Sequence, residues 1–549
     1  MNYENYDPYF PDQPVVDLYL PVWANLPAFR SKAAFIWAED GATLTYAQLN
    51  SSAQSISAKI LHRLKGGDTV VILCSPGLEL VEIILGAKEL TKPKAAIAQH
   101  GFIAAVKRYV SSSVSDKRLC ELLQGAEEMY LVQFTSGATG IPKPVLVTAG
   151  AAAHNVRTAR KAYHLHPNSV IASWLPQYHD CGLMFLLLTI VSGATCVLTS
   201  PMAFVNRPRL WLELISEYKA TCTPVPSFAL PLVVKRGGID KGTLPINLWS
   251  LKNLIIINEP IYRESVEEFV NAFLPFGLNP ACISPSYGLA ENCTFVSTAW
   301  RNNDEEEMDI LVVNEETQEP VEDGIEGEIW VSSSSNASGY LDHPSLTRYV
   351  FLGRLSNKVS SCFVRTGDRG IVKGEERYLF ITGRSSDMIE LQSGEQIHPH
   401  YIETAAYNSC QKFLRGGCLA AFKISRTVVL VAEMQRREEE TRILKIICEG
   451  IREAVLREEK IGIGLVVLAK AGCVPKTTSG KIQRWATKDK LIGGKMKVVM
   501  EMQFEENGRS IEAGASKRNG GRVMVGEEMG NDVISLSSAP TQVGSRSFL

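Results

Sequence analysis

The chain alternates between two patterns of apolar residues. Apolar positions at helical spacing predict helices at 46–64, 77–90, 151–163, 210–218 and 438–456. Short β-rich runs predict buried strands at 69–73, 129–134, 254–257, 428–432 and 465–468. Between 91 and 128 the pattern weakens, and it predicts helices near 102–110 and 116–123 with no strand between them. Helices alternating with short strands predict an α/β fold.

The stretch 182–200 is apolar enough to be considered for a membrane span. Gly193 and the polar Thr189, Ser192 and Thr195 divide it near the middle. We therefore expect a buried helix that ends near Val191, followed by a strand at 194–198. The sequence accordingly predicts no transmembrane segment.

A segment at 129–147 combines glycines, hydroxyls and a lysine between two apolar runs. Gly137 and Gly140 permit the positive φ angles with which backbone N–H groups converge on an anion. Hydroxyl donors and a movable charge come from Thr135, Ser136, Thr139 and Lys143. The composition is typical of a phosphate-binding loop without the Walker A pattern. A plain hairpin turn is the alternative interpretation.

Polar groups follow three more predicted strands. His179 and Asp180 follow the strand that begins at Val170, Asn258 and Glu259 follow 254–257, and Tyr287, Gly288 and Glu291 follow a short run from Ile283. Ligands in α/β sheets bind beyond the carboxyl ends of strands, so these turns are candidate site residues. Each turn alone is also compatible with a local hydrogen-bonded cap.

Composition narrows the class of protein. With 57 basic and 59 acidic residues among 549, the balance does not favour a nucleic-acid partner. The 12 cysteines are scattered, with no C-x-x-C pair, metal-ligand cluster or disulfide framework. Reduced thiols in a cytoplasmic compartment are the simplest interpretation.

Six motifs in one order resemble the adenylate-forming superfamily of acyl-CoA synthetases, luciferases and adenylation domains, in particular its fatty-acyl-AMP ligases. They span most of the chain from about Thr43 to Arg484. The motifs are 133–143 (QFTSGATGIPK), 173–183 (SWLPQYHDCGL), 287–291 (YGLAE), 365–368 (RTGD), 383–384 (GR, with Gly394 and Pro399) and 475–481 (PKTTSGK). The resemblance implies a large N-terminal domain of layered α/β sheets and a small, mobile α+β C-terminal domain. The corresponding boundaries are 1–382, 383–499 and a disordered tail at 500–549.

The resemblance also implies a role for each motif residue. Ser136, Gly137, Thr139, Gly140 and Lys143, together with Thr135, would hold the ATP phosphates, and Glu291 would hold Mg²⁺. Tyr287 and Gly288 would lie against adenine, beside Asn258 and Glu259. Asp368 would bind the ribose hydroxyls and Arg384 would add a charge near them. Lys481 would bridge the substrate carboxylate and the α-phosphate, while His179 would act as a steric gate of the acyl pocket.

Two sequence features depart from the family pattern. Pro144 stands where glycine is usual and lacks a backbone donor, and Ser386 occupies the expected hinge position. The stretches after Thr91 and Ser297 are also short for the family. Three hypotheses therefore stand: a ligase that passes a medium- or long-chain fatty acyl group to an acyl carrier protein in trans, a ligase that uses coenzyme A, and a non-catalytic nucleotide- or acyl-binding relative.

Overall fold

The structure, a computed structural model, describes residues 15–62, 69–88, 94–98, 129–138, 140–237, 245–257, 261, 263–298, 308–355, 361–375, 377–436, 438, 440–477, 480–504 and 510–511. The helices expected near 102–110 and 116–123 lie outside these ranges, as do the predicted site residues Thr139, Asn258 and Glu259.

The described helices are α1 Val15–Asn25, α2 Tyr46–Leu61, α3 Leu78–Lys88, α4 Ala149–Ala162, α5 Asp180–Ser192, α6 Pro201–Asn206, α7 Arg209–Glu217, α8 Ala229–Arg236, α9 Arg263–Phe273, α10 Pro344–Phe351, α11 Pro399–Ser409, α12 Thr441–Glu459 and α13 Arg484–Ile492.

The described strands are β1 Ala33–Trp37, β2 Thr43–Thr45, β3 Thr69–Leu73, β4 Lys94–Ala98, β5 Met129–Phe134, β6 Pro144–Thr148, β7 Val170–Ser173, β8 Thr195–Leu198, β9 Cys222–Pro226, β10 Asn253–Ile257, β11 Ile283–Tyr287, β12 Ser297–Thr298, β13 Met308–Val313, β14 Gly327–Ser333, β15 Gly339–Tyr340, β16 Val364–Lys373, β17 Tyr378–Arg384, β18 Ile389–Glu390, β19 Gln396–Ile397, β20 Leu414–Ile424, β21 Thr427–Met434, β22 Leu465–Ala469, β23 Val498–Phe504 and β24 Ser510–Ile511.

The largest described sheet has the order β12-β11-β10-β9-β7-β8-β1-β2. From β11 to β1 every neighbouring pair is parallel, and all five residues of β10 are buried. A parallel sheet needs both faces covered, which explains the unbroken apolar run of β10. Because parallel strands end at one edge, the turns after β7 and β11 lie on the same side of the sheet.

A second sheet, ordered β15-β6-β5-β4-β3, carries the predicted phosphate loop between β5 and β6. Its strand β4 precedes the two helices predicted near 102–110 and 116–123, at a place where the weak sequence pattern predicted no element. Residues 94–98 read Lys-Ala-Ala-Ile-Ala, and alanine has little intrinsic preference for strands. Parallel pairing with β3 and β5 on both sides supplies what the local sequence does not.

The apolar stretch at 182–200 is interrupted as predicted. Helix α5 is buried from Cys181 onward and ends at Gly193, which takes the left-handed conformation (φ +64°) that glycine adopts without strain. Strand β8 follows within the largest sheet. Among the described helices, none has the length and apolar character needed to cross a bilayer.

Three further sheets complete the described residues, of which β18 and β19 form a two-stranded one. An antiparallel sheet ordered β13-β14-β16-β17 carries the RTGD motif on β16. A five-stranded sheet, β20 to β24, packs on α11 and α12 around its own apolar core. We call residues 389–504 the C-terminal lobe. Strand β23 continues to Phe504 and pairs with β24 at 510–511, so a disordered tail beginning at residue 500 is wrong at its start.

Candidate active site

The predicted phosphate loop is closed by its own backbone. The Thr135 N–H donates to the Lys143 carbonyl oxygen, and the Lys143 N–H donates to the Thr135 hydroxyl oxygen, both at 2.9 Å. Gly137 has φ +71°, which explains why glycine is needed there. Ser136 and Gly140 lie half-buried in the same loop.

Pro144 is accommodated by its position in the hairpin. It is the first residue of β6 and lies opposite Phe134 of β5, a place where a strand tolerates proline. Its carbonyl oxygen accepts a hydrogen bond from the Leu341 N–H at 2.9 Å. The loop therefore closes in spite of the missing donor.

Tyr340 joins the loop lysine to the predicted metal-binding carboxylate. Lys143 Nζ lies 5.4 Å from the centroid of the Tyr340 ring, and the Tyr340 hydroxyl donates to Glu291 Oε1 at 2.5 Å. Burial, and then the charge of Glu291, raises the pKa of Tyr340, which keeps the hydroxyl protonated as a donor. The sequence did not single out Tyr340, because only the fold brings β15 beside β6.

A second group lies where β11 meets the antiparallel sheet. The Tyr287 hydroxyl donates to Asp368 Oδ2 at 2.7 Å, and Arg384 Nε lies 2.6 Å from Asp368 Oδ1. Arg384 Nη2 also donates to the Thr366 carbonyl oxygen at 2.9 Å. The structure thus brings three predicted site residues together around one carboxylate.

The side chains of this group shift one another's pKa values. The Asp368 carboxylate raises the pKa of Arg384, so the guanidinium stays charged. Burial, followed by the Asp368 charge, raises the pKa of Tyr287 well above its ordinary value. The Arg365 and Asp368 side chains of the RTGD motif do not form an ion pair with each other. Arg365 Nη2 instead lies 2.9 Å from Glu328 Oε2.

His179 and Asp180 lie at the start of α5. The imidazole Nδ1 contacts Asp180 Oδ1, and the Cys181 N–H donates to the same oxygen at 2.7 Å. Burial alone raises the pKa of Asp180, but the His179 imidazole and then the Lys481 ammonium outweigh it, so the carboxylate is ionised. Lys481 of the C-terminal lobe is therefore close enough to the start of α5 for its charge to act on this carboxylate.

Three potential metal donors meet at this point. The side-chain atoms of His179, Asp180 and Cys181 lie within 4.8 Å of one another, although cysteine spacing predicted no such cluster. The imidazole and carboxylate are already bonded to each other, and Lys481 adds a positive charge nearby. We assign no metal to these residues, because a cation would have to replace the contact between His179 and Asp180 and would be repelled by the Lys481 ammonium.

The lysine motif is held by hydrogen bonds within its own loop. It also contacts the large lobe, our name for the described residues that precede the boundary at 382/383. The Thr477 N–H donates to the Lys481 carbonyl oxygen at 2.8 Å, and the Lys481 N–H donates to the Thr477 hydroxyl oxygen at 3.1 Å. A side chain built on Gly480 would contact the Phe228 ring at 3.3 Å. The loop thus sits directly against the face that carries α8.

Two cavities adjoin Asp180. One, of about 20 Å³, has a mixed lining that includes Tyr287 and Ser286 as well as Ile257 and Phe295. The other, also of about 20 Å³, is mostly apolar: its aliphatic walls are Leu131, Val147, Ala152, Val156, Leu183 and Leu187. Asp180, Met184 and Thr294 line both cavities. A mostly apolar cavity and a mixed one thus share the Asp180 carboxylate as a wall.

Gly288, a predicted nucleotide-binding residue, is required by close packing of backbone. A Cβ at this position would lie 1.6 Å from the Thr294 carbonyl oxygen, which no side-chain movement can relieve. We expect Gly288→Ala to destabilise the protein by about 1–3 kcal/mol or more in urea unfolding, as overpacking does. Gly462→Ala is the matched control, since a Cβ there meets nothing within 4 Å. Equal stability of the two variants would contradict the packing argument.

Comparison with known proteins identifies the family of the chain. A family model described as AMP-binding enzyme matches residues 92–341. The medium-chain-fatty-acid–[acyl-carrier-protein] ligase JamA of Moorena producens is 32% identical over 411 residues, covering 67% of this chain and 69% of that protein. The long-chain-fatty-acid–AMP ligase FadD26 of Mycobacterium marinum is 27% identical over 537 residues, covering 81% and 90%.

The fold agrees as well. The crystal structure of a fatty acid AMP ligase from Legionella pneumophila covers 91% of this chain and 99% of its own, with a TM-score of 0.62 and 24% identity. The chain therefore belongs to the AMP-binding, adenylate-forming enzymes, and within them it is of the fatty-acyl-AMP ligase type. The fold class and the family resemblance predicted from the motifs are confirmed.

Proposed function

We propose that this enzyme activates a medium- or long-chain fatty acid with ATP, releases pyrophosphate, and passes the acyl group from the adenylate to a carrier-protein thiol. The observation that carries the proposal is the convergence around Asp180. A mostly apolar cavity and a second cavity lined by Tyr287 share Asp180 as a wall, and the charge of Lys481 acts on the same carboxylate. The names of JamA and FadD26 support the same substrate class and adenylate intermediate.

The phosphate loop would neutralise the charge of ATP. An anionic carboxylate must approach an anionic α-phosphate, so catalysis depends on preorganised positive groups and donors. We assign the β- and γ-phosphates to the loop backbone around Gly137 and Gly140, the Ser136 and Thr139 hydroxyls, and Lys143. Since the Thr135 hydroxyl accepts from the Lys143 N–H, its part is to close the loop.

The group around Asp368 would bind the nucleoside. An ionised carboxylate can accept hydrogen bonds from both ribose hydroxyls, and Arg384 pairs with it from one side. Tyr287 would present its ring to adenine while its hydroxyl stays on Asp368. Asn258 and Glu259, which follow β10 at the same sheet edge, would lie beside the base.

Glu291 fits a magnesium ion. Its carboxylate is buried and is oriented by the hydroxyl of Tyr340, the ring that Lys143 Nζ also approaches. Mg²⁺ in nucleotide sites takes one or two carboxylates together with phosphate oxygens, which matches this donor set. When bound, the ion would neutralise phosphate charge.

Lys481 would bridge the two reacting anions. Its charge acts on Asp180, so the carboxylate of a fatty acid that enters beside Asp180 would meet the ammonium. His179, which contacts Asp180, fits the role of a gate better than that of an acid or base. Because Lys481 and the phosphate loop come from different lobes, we place the domain boundary at 382/383, near the end of β17 and shortly before the C-terminal lobe.

The decisive test is fatty-acid-dependent exchange of labelled pyrophosphate into ATP. We expect exchange with medium- or long-chain acids from a panel of increasing length, and then acyl transfer to a phosphopantetheinylated carrier protein with little thioester on coenzyme A. Thioester on coenzyme A alone would favour the coenzyme A ligase. No exchange with any acid, by folded protein, would leave the non-catalytic relative.

A further inference from the structure

The C-terminal lobe donates two hydrogen bonds to one atom of the phosphate loop. The Gln483 side-chain amide reaches the Gly137 carbonyl oxygen at 2.9 Å, and the Trp485 indole N–H reaches the same oxygen at 3.3 Å. The donors are 346 and 348 residues away from the acceptor in sequence. Nothing in the motifs pointed to either side chain.

The residue between the two donors is fixed to the interior of its own lobe. Arg484 makes two bonds to the Glu403 carboxylate, at 2.7 and 2.8 Å, and one to Asp387 Oδ2 at 2.9 Å. Asp387 belongs to the short 3₁₀ turn Ser385–Asp387 that directly follows β17. The start of α13 is thus anchored at the junction between the lobes, while Gln483 and Trp485 reach across it.

The acceptor is equally fixed. Gly137 holds a left-handed conformation, and the loop around it is closed by the two bonds between Thr135 and Lys143. A peptide whose carbonyl is held in one direction also has its neighbouring N–H groups held. Any change of the loop that turns this carbonyl therefore breaks both bonds to the C-terminal lobe.

We propose that Gln483 and Trp485 are positioning residues, which latch the C-terminal lobe onto the Gly137 carbonyl and thereby hold Lys481 opposite Asp180 for adenylate formation. Lys481 lies two residues before Gln483, so the latch sets its placement directly. Neither donor needs to touch the reacting atoms. This inference rests on the proposed function only in naming the step that the latch serves.

Gln483→Glu is the sharpest variant because it keeps the size of the side chain and replaces the donor by an oxygen that repels the carbonyl. Trp485→Phe keeps an aromatic ring and removes only the N–H. We expect the rate constant of pyrophosphate exchange to fall at least about tenfold in the first variant and about two- to tenfold in the second, as for loss of a hydrogen bond. The KM for the fatty acid and the thermal midpoint should stay unchanged.

Two controls match these changes. Gln411→Glu introduces the same charge on the exposed surface of the same lobe, and Trp249→Phe removes an exposed indole of the large lobe. Both should exchange pyrophosphate at the wild-type rate. Wild-type rates in Gln483→Glu and Trp485→Phe, or losses equal to those of the controls, would overturn the latch.

Hydrogen exchange tests the latch without catalysis. In the double variant Gln483→Glu/Trp485→Phe, we expect faster amide exchange in peptides covering 130–145 and 475–490, and unchanged exchange in α12. Unchanged protection of the loop peptide would overturn the proposal even if activity fell. If wild-type protein showed no pyrophosphate exchange, the proposed function would fail while this measurement still decided the latch.

Discussion

Lys481→Ala is expected to lower fatty-acid-dependent pyrophosphate exchange about 100- to 1000-fold, or about 3–4 kcal/mol of transition-state stabilisation. The ammonium acts on Asp180 and is not among the contacts of the proposed ribose-binding carboxylate Asp368, so ATP binding should stay nearly intact. The measurements are the exchange rate and the ATP affinity from isothermal titration. A variant with wild-type exchange would refute the assignment of Lys481.

Lys476→Ala is the matched control for this prediction. Lys476 lies in the same motif, but its side chain is bonded to Cys418 inside the C-terminal lobe. Removing it deletes an equal charge from the same loop without changing the group that faces Asp180. We expect exchange within about threefold of wild type. A loss equal to that of Lys481→Ala would mean that the total positive charge of the loop matters, and not the position of the Lys481 ammonium.

Much of the fold could be predicted because its strongest signals are local. Helix α5 and strand β8 follow from one apolar stretch that Gly193 divides, since this glycine fixes where the helix ends. Strand β4 could not be predicted, since its alanines become a strand only between β3 and β5. The two-residue strand β15 gives no periodic signal at all, yet it places Tyr340 beside the phosphate loop.

The residues of the candidate site also fall into two groups, those that the sequence predicts and those that only the fold brings into place. Residues at the ends of parallel strands, such as Asp180 and Tyr287, could be found because every such strand delivers its last residues to one edge of the sheet. The partners that hold them could not. Gln483 meets Gly137, and Tyr340 meets Glu291, only through contacts between distant segments. A motif identifies the groups that act, whereas the fold decides what orients them.

Replacing Asp368 tests whether Asp368, Tyr287 and Arg384 together bind the nucleoside of ATP. We expect Asp368→Ala to raise the KM for ATP about 100-fold, since it removes a charged acceptor worth about 1.5–3 kcal/mol per hydrogen bond. It also leaves the Arg384 charge and the Tyr287 hydroxyl without their shared partner. Arg384 is 36% exposed, so we expect a loss of stability of only about 1–3 kcal/mol, less than for a fully buried pair.

Two variants separate binding from folding in this prediction. Asp368→Asn keeps an acceptor for Tyr287 but loses the charge, so its KM for ATP should lie between wild type and Asp368→Ala. Asp323→Ala breaks an exposed ion pair with Arg377 beside the same sheet and should change neither ATP binding nor stability. If Asp368→Ala lowered the unfolding free energy but left the KM for ATP unchanged, the carboxylate would be a structural partner of Arg384 alone. A raised KM in both Asp368 variants, graded with the loss of charge, is what a ribose-binding carboxylate requires.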